Sequence, residues 1–132
     1  MPEKLNWSLT IQVAGGPGEG ASQSLDVEAY DVITVTVPGG DTTTPGTATV
    51  QVQPGGSGQV AFLLVKSSLY DGNLTYAVDG GSAVKLDALH LFIGTGAVGL
   101  LGTTQNAFVF TNMVGVDKPA AVEILVGRKA TA

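Results

Sequence analysis

Gly94-Thr95-Gly96-Ala97-Val98-Gly99 has the GxGxxG spacing that lets a strand-to-helix turn cradle a dinucleotide pyrophosphate. That chemistry needs a helix whose N-terminal amides face the phosphates. An apolar segment, Leu89 to Ile93, precedes the motif, but Gly102-Thr103-Thr104-Gln105-Asn106 ends any helix almost at once, and a strand pattern resumes at Ala107. Too little chain remains for the parallel strands of a dinucleotide fold. The segment therefore reads as a glycine-rich β-turn, and no nucleotide or other cofactor is expected.

The other reactive residues are scattered. Asp71-Gly72-Asn73, Asp79-Gly80-Gly81 and Asp117-Lys118 offer oxygen ligands, yet none has the dense alternating series, closed by a Glu, of a calcium loop. Asp in such turns commonly holds the backbone instead. The chain has one histidine, His90, and no Cys, which excludes a thiolate zinc site and leaves a catalytic triad without a placed nucleophile. Gly56-Ser57-Gly58 follows Pro54 in a turn and is not the strand-to-helix elbow of an acyl-transfer serine. Two acids could meet in space as a glycosidase pair, which spacing alone does not show. Asn6-Trp7-Ser8 and Asn73-Leu74-Thr75 match a glycosylation acceptor and read as ordinary strand and turn residues. Trp7, Tyr30, Tyr70 and Tyr76 could form a sugar-stacking face, but aromatics make up only 6% and Trp7 keeps phase with apolar neighbours. No catalytic, cofactor-binding or metal-binding residue is assigned, and a non-enzymatic role is expected.

The elements that would position these residues alternate with period two. Leu5, Trp7, Leu9, Ile11 and Val13 are apolar while Asn6, Ser8, Thr10 and Gln12 are polar, a half-buried strand. The loop from Gly15 to Gly20 ends it. Alternation restarts at Leu25 and slips phase near Tyr30-Asp31, which suggests a bulge. Ala48, Val50 and Val52 alternate with Thr47, Thr49, Gln51 and Gln53. Val60 to Val65 is wholly apolar and reads as a central strand buried on both faces. Further strands are expected at about Val84 to Ile93, Gly99 to Leu101, Ala107 to Met113 and Ala120 to Val126. Eight or nine short strands with no substantial helix predict one all-β domain over residues 1–132, an antiparallel β-sandwich or jelly-roll-like barrel. Its predicted core is Trp7, Leu9, Ile11, Val50, Val52, Val60, Phe62, Leu64, Phe108, Phe110, Ile124 and Val126.

At 132 residues the chain can bury a core without disulfides. It is 44% apolar and only 13% charged, with a net charge of -5. Its six basic residues do not cluster as phosphate binding requires, so nucleic acid is not an expected partner. Met1 to Lys4 leads into an alternating strand rather than a signal peptide. The longest apolar stretch, Ala88 to Leu101, is too short and too interrupted to span a membrane. Few charges and many small polar side chains lower the cost of a permanent interface. The uncharged strand at Thr47, Thr49, Gln51 and Gln53 offers a contact surface, since open edges are usually guarded by charge.

Ala107-Phe108-Val109-Phe110-Thr111-Asn112, followed by the segment from Asp117 to Arg128, resembles the closing strand pair of small Gly/Thr-rich β proteins in tailed-phage particles, such as capsid decoration (cement) proteins. The resemblance covers about a third of the chain and carries over no functional residue. It implies a virion component that self-associates, as a trimer, and binds a larger protein lattice such as a capsid. The alternative is a carbohydrate- or cell-surface-binding module of the adhesin or fibre-tip type.

Overall fold

The period-two segments become ten strands in a computed structural model that describes residues 3–12, 14–27, 29–52, 60–102 and 105–128. Strands β1 (Glu3–Gln12) and β2 (Gly18–Val27) pair only with each other, in register from Glu3↔Val27 to Gln12↔Gly18. The other eight are β3 (Ala29–Val37), β4 (Gly46–Gln51), β5 (Val60–Ser67), β6 (Leu74–Val78), β7 (Val84–Lys85), β8 (His90–Ile93), β9 (Ala107–Asn112) and β10 (Ala120–Arg128). They form two antiparallel sheets, the first ordered β3-β10-β5-β8 and the second β4-β9-β6-β7. The architecture is all-β and sandwich-like, with β1 and β2 forming an arm outside it.

Alternation explains which residues meet between the sheets. Val37, Leu63, Val65, Val122, Ile124 and Val126 face inward from the first sheet, and Val50, Leu74, Tyr76, Val78, Phe108 and Phe110 from the second. All are buried and belong to one contiguous cluster. Of the predicted core, Val50, Val52, Val60, Phe62, Phe108, Phe110, Ile124 and Val126 are buried. Leu64 is half-buried on the outer side of the first sheet. Three assignments in the first strand need correction. Leu9 is 40% and Ile11 55% exposed, and Trp7 is only half-buried, because the arm that carries them has no second layer over its apolar face.

Other boundaries differ from the sequence reading for local reasons. The phase slip near Tyr30-Asp31 is not a bulge: β3 pairs with β10 without interruption from Ala29 to Val37. It arises because the chain leaves the arm at Val27 and enters the first sheet at Ala29. The one register shift of that sheet lies between Gly127 and Arg128, where β10 pairs with β5. The strand expected over Val84 to Ile93 splits into β7 and β8, which join different sheets. The strand expected at Gly99 to Leu101 is a 3₁₀ turn that extends α1 (Thr95–Val98).

Where the chain crosses from β3 to β4, backbone passes backbone. A Cβ on Gly46 would run into the Pro38 carbonyl, and one on Gly40 would strike the Gly46 amide. Asp41 Oδ1 accepts hydrogen bonds from the Thr43 and Thr44 amides at 3.0 and 2.7 Å, closing the loop inside this corner. On the far side, Val78-Asp79-Gly80-Gly81 has positive φ at both central residues (49° and 76°) and a Gly81 N to Val78 O bond of 2.9 Å. That is a type I′ turn, whose twist suits a hairpin.

Candidate assembly surface

The residues singled out for chemistry are occupied with structure. Gly94 adopts φ 94°, and the GxGxxG segment makes one helical turn rather than the expected β-turn. Its last residue, Val98, is buried in the core. Such a turn offers no extended helix to a pyrophosphate. Asp71 Oδ1 accepts from Asn73 N at 2.8 Å, and Asp79 Oδ1 accepts from Ala107 N at 2.7 Å and from Asn106 N at 3.1 Å. Asp79 thereby ties the β6–β7 turn to the start of β9. Among the described residues no three of His, Cys, Asp or Glu cluster as a metal site would require. Gly56-Ser57-Gly58 and Gln53 lie outside the described residues.

His90 bridges the two sheets. Its Nδ1 lies 2.7 Å from the hydroxyl of fully buried Tyr76, and its ring stands edge-on to Phe92 with centroids 6.1 Å apart. Burial holds the imidazole below its ordinary pKa, against the smaller opposing pull of the Asp87 carboxylate. Burial also pushes the Tyr76 phenol above its usual range. Both shifts favour the neutral forms, and a hydrogen bond joins the hydroxyl to the ring nitrogen between the two sheets. The aromatics form no common platform: Tyr76 is inside, Trp7 lies on the arm, and Tyr30 stands on the outer side of β3.

Exposed apolar side chains occur singly at Leu100, Val116, Leu89 and Val109, and in contiguous rows on the outer side of the first sheet. Register places Val32, Leu125, Leu64 and Leu91 side by side across the outer side of the first sheet. The next row is Tyr30, Gly127, Phe62 and Ile93. Val32 and Tyr30 are each 57% exposed, and Leu125, Leu64, Leu91 and Ile93 are half-buried. Phe62 is buried because the base of the arm lies beside it. A Cβ on Gly127 would sit 3.1 Å from Val27 Cγ1, 3.3 Å from Leu5 Cδ1 and 3.4 Å from Phe62 Cβ. The missing side chain at Gly127 is what lets the arm settle there.

The arm itself is two-faced. One side pairs Leu5 with Leu25, Trp7 with Gln23, Leu9 with Ala21 and Ile11 with Glu19. The other carries Lys4 against Asp26, Asn6 against Ser24 and Ser8 against Ser22. Lys4 Nζ meets Asp26 Oδ1 at 2.7 Å, and Ser24 donates to Asn6 Oδ1 at 2.7 Å. At the loop, Gly15 takes φ 70° and Gln12 Nε2 donates to Gly16 O. Sequence reading took the Leu5–Ile11 alternation as core. The signal that separates arm from core is the partner strand, which sets Gln23 and Glu19, residues too polar to line a sandwich interior, on the same face as Trp7 and Ile11.

Thr47, Thr49 and Gln51, expected at a contact surface, point outward from β4, which is an edge of the second sheet. They are exposed and uncharged, and their neighbours across β9 are Thr111, Val109 and Ala107. Among the described residues no helix is long and apolar enough to cross a membrane. Comparison with protein-family models, curated proteins and solved structures finds no match to this chain.

Proposed function

We propose that the chain is a non-enzymatic structural protein that self-associates and contributes to a larger protein lattice, as in a capsid decoration (cement) or tail protein of a virion. The carrying observation is the outward apolar row of exposed Val32 and half-buried Leu125, Leu64 and Leu91, on a sheet whose other face already holds the core. Full burial of one Val or Leu side chain is worth about 1.5–3 kcal/mol. Val32 has most of that gain still to make, and half-buried Leu125, Leu64 and Leu91 each have part of it. Contiguous exposed apolar surface commonly marks an interface.

Two further features support the reading. The edge strand β4 carries no charge over Gly46–Gln51, so nothing in its side chains discourages strand pairing. The arm is a two-stranded sheet, an arrangement marginally stable in water unless packed against something. Closed symmetry would satisfy such surfaces without open-ended aggregation. The trimer and the virion setting rest on the decoration-protein resemblance.

Static light scattering over a wide concentration range tests self-association. The reading expects a mass that rises to a fixed multiple of the 13.3 kDa chain. A mass that stays at one chain up to the highest soluble concentration overturns it.

A further inference from the structure

We infer that the apolar face of the arm docks on the outer side of the first sheet of a second copy of this chain, in a head-to-tail contact. This rests on the self-association reading above and specifies which surfaces meet. The structure already contains a short stretch of the same contact within one chain. At the base of the arm, Leu5 and Val27 use the ribbon's apolar face to cover Gly127, beside Phe62. Past that point each partner has surface left over. The ribbon continues on the same face with half-buried Trp7 and exposed Leu9 and Ile11, while the sheet continues with exposed Val32 and half-buried Leu125.

The ribbon's base is held at Gly127, and Trp7, Leu9 and Ile11 lie successively farther along it toward the Gly15 loop. A second copy supplies both missing pieces at once. The receiving surface is a groove of about 400 Å³ bounded by Lys4, Leu5, Val27, Tyr30, Val32 and Leu125, so an incoming arm would lie beside the resident one. The polar limits of the two surfaces also correspond. The arm's apolar face ends at Glu19, opposite Ile11, and the sheet's apolar rows end at the cross-strand neighbours Lys66 and Glu123. An apolar centre with a polar rim is the usual anatomy of an interface. Because arm and groove are different patches, each copy gives one contact and receives one, and the assembly closes as a ring or extends as a filament.

The geometry is tested by mixing two variants, each spoiled on one side only. Leu9→Glu with Ile11→Glu places two charges on the arm's face and leaves the groove intact. Tyr30→Glu with Val32→Glu spoils the groove and leaves the arm intact. All four positions are exposed, and circular dichroism melts establish that each variant is folded. Each variant alone is expected to remain at 13.3 kDa, and the equimolar mixture to reach twice that mass and no more. If the intact chain assembles but either variant still assembles alone, the contact is arm-to-arm or face-to-face and this inference fails while self-association stands. If the intact chain never exceeds one chain mass, both fail.

Should a double variant misfold, the natural absence of cysteine provides a second route. Ile11→Cys and Val32→Cys chains, mixed and treated with a short bismaleimide, are expected to crosslink to each other. Crosslinking of Ile11→Cys only with itself overturns the arm-to-groove contact.

Discussion

Across the outer side of the first sheet one row reads Val32, Leu125, Leu64, Leu91; across the outer side of the second the corresponding row reads Thr47, Thr111, Thr75, Lys85. The two sheets share an interior, an antiparallel plan and a strand count, and these two outward rows differ in kind, although the next row of the second sheet turns Val109 outward, 38% exposed. A threonine surface satisfies β-geometry through its branched side chain while keeping a hydroxyl in water. A Val/Leu surface satisfies the same geometry and leaves apolar area unspent. The outer side of the first sheet thus carries the more apolar row, and the arm meets that side at Gly127. An apolar run such as Val60 to Val65 reads as buried on both faces, and all of it but half-buried Leu64 is buried within the one chain.

The largest effect should come from the shared interior. Phe108→Ala removes a fully buried ring between the sheets and is expected to cost about 3–5 kcal/mol in denaturant melts. A cost below about 1 kcal/mol would place the core elsewhere.

An intermediate effect is expected at the bridge between the sheets. His90→Leu leaves the buried Tyr76 hydroxyl without its partner, a loss of about 1–3 kcal/mol near pH 8. The same change should alter the response to acid. Because the folded-state pKa of His90 is lowered from 6.5, the unfolded chain binds the proton more readily, and stability falls as pH drops below about 6.5. Thermal melts of the intact chain at pH 8 and pH 5 should differ more than those of His90→Leu. An identical pH response in both would show that His90 does not report the interior.

The smallest effects on stability separate the two outer sides. Val32→Lys and Thr49→Lys both alter exposed strand positions and should each change monomer stability by no more than about 0.5 kcal/mol. Sedimentation velocity should nevertheless distinguish them, with Val32→Lys losing the assembled species and Thr49→Lys, on the uncharged edge strand, weakening it less. Equal loss would make the threonine side a contact surface as well; loss at Thr49 alone would reverse the comparison.

Much of the sandwich was legible in the sequence. Alternation at Val50 and Val52, at Phe108 and Phe110, and at Ile124 and Val126 fixes which side faces inward, because side chains repeat every two residues. The Asp-Gly and Gly-Gly turns mark where the chain reverses. The outer apolar row was less legible because it depends on register. Val32, Leu125, Leu64 and Leu91 are scattered between positions 32 and 125, and only the pairing of β3, β10, β5 and β8 makes them one row. The arm was misread for a related reason. Period two shows that Leu5, Trp7, Leu9 and Ile11 share a face, but not whether a second layer covers it. The helical turn at Thr95–Val98 escaped because glycine-rich, four-residue elements have no periodicity to read.

Trp7 is the single tryptophan, and it sits on the apolar face of the arm, half-buried. Its fluorescence therefore reports directly whether that face is covered when chains meet. The account predicts that Trp7 emission shifts to shorter wavelength as concentration rises, with the same midpoint as the mass measured by light scattering. Emission that stays unchanged while the mass increases would contradict it, because assembly would then be proceeding with the arm's apolar face still in water.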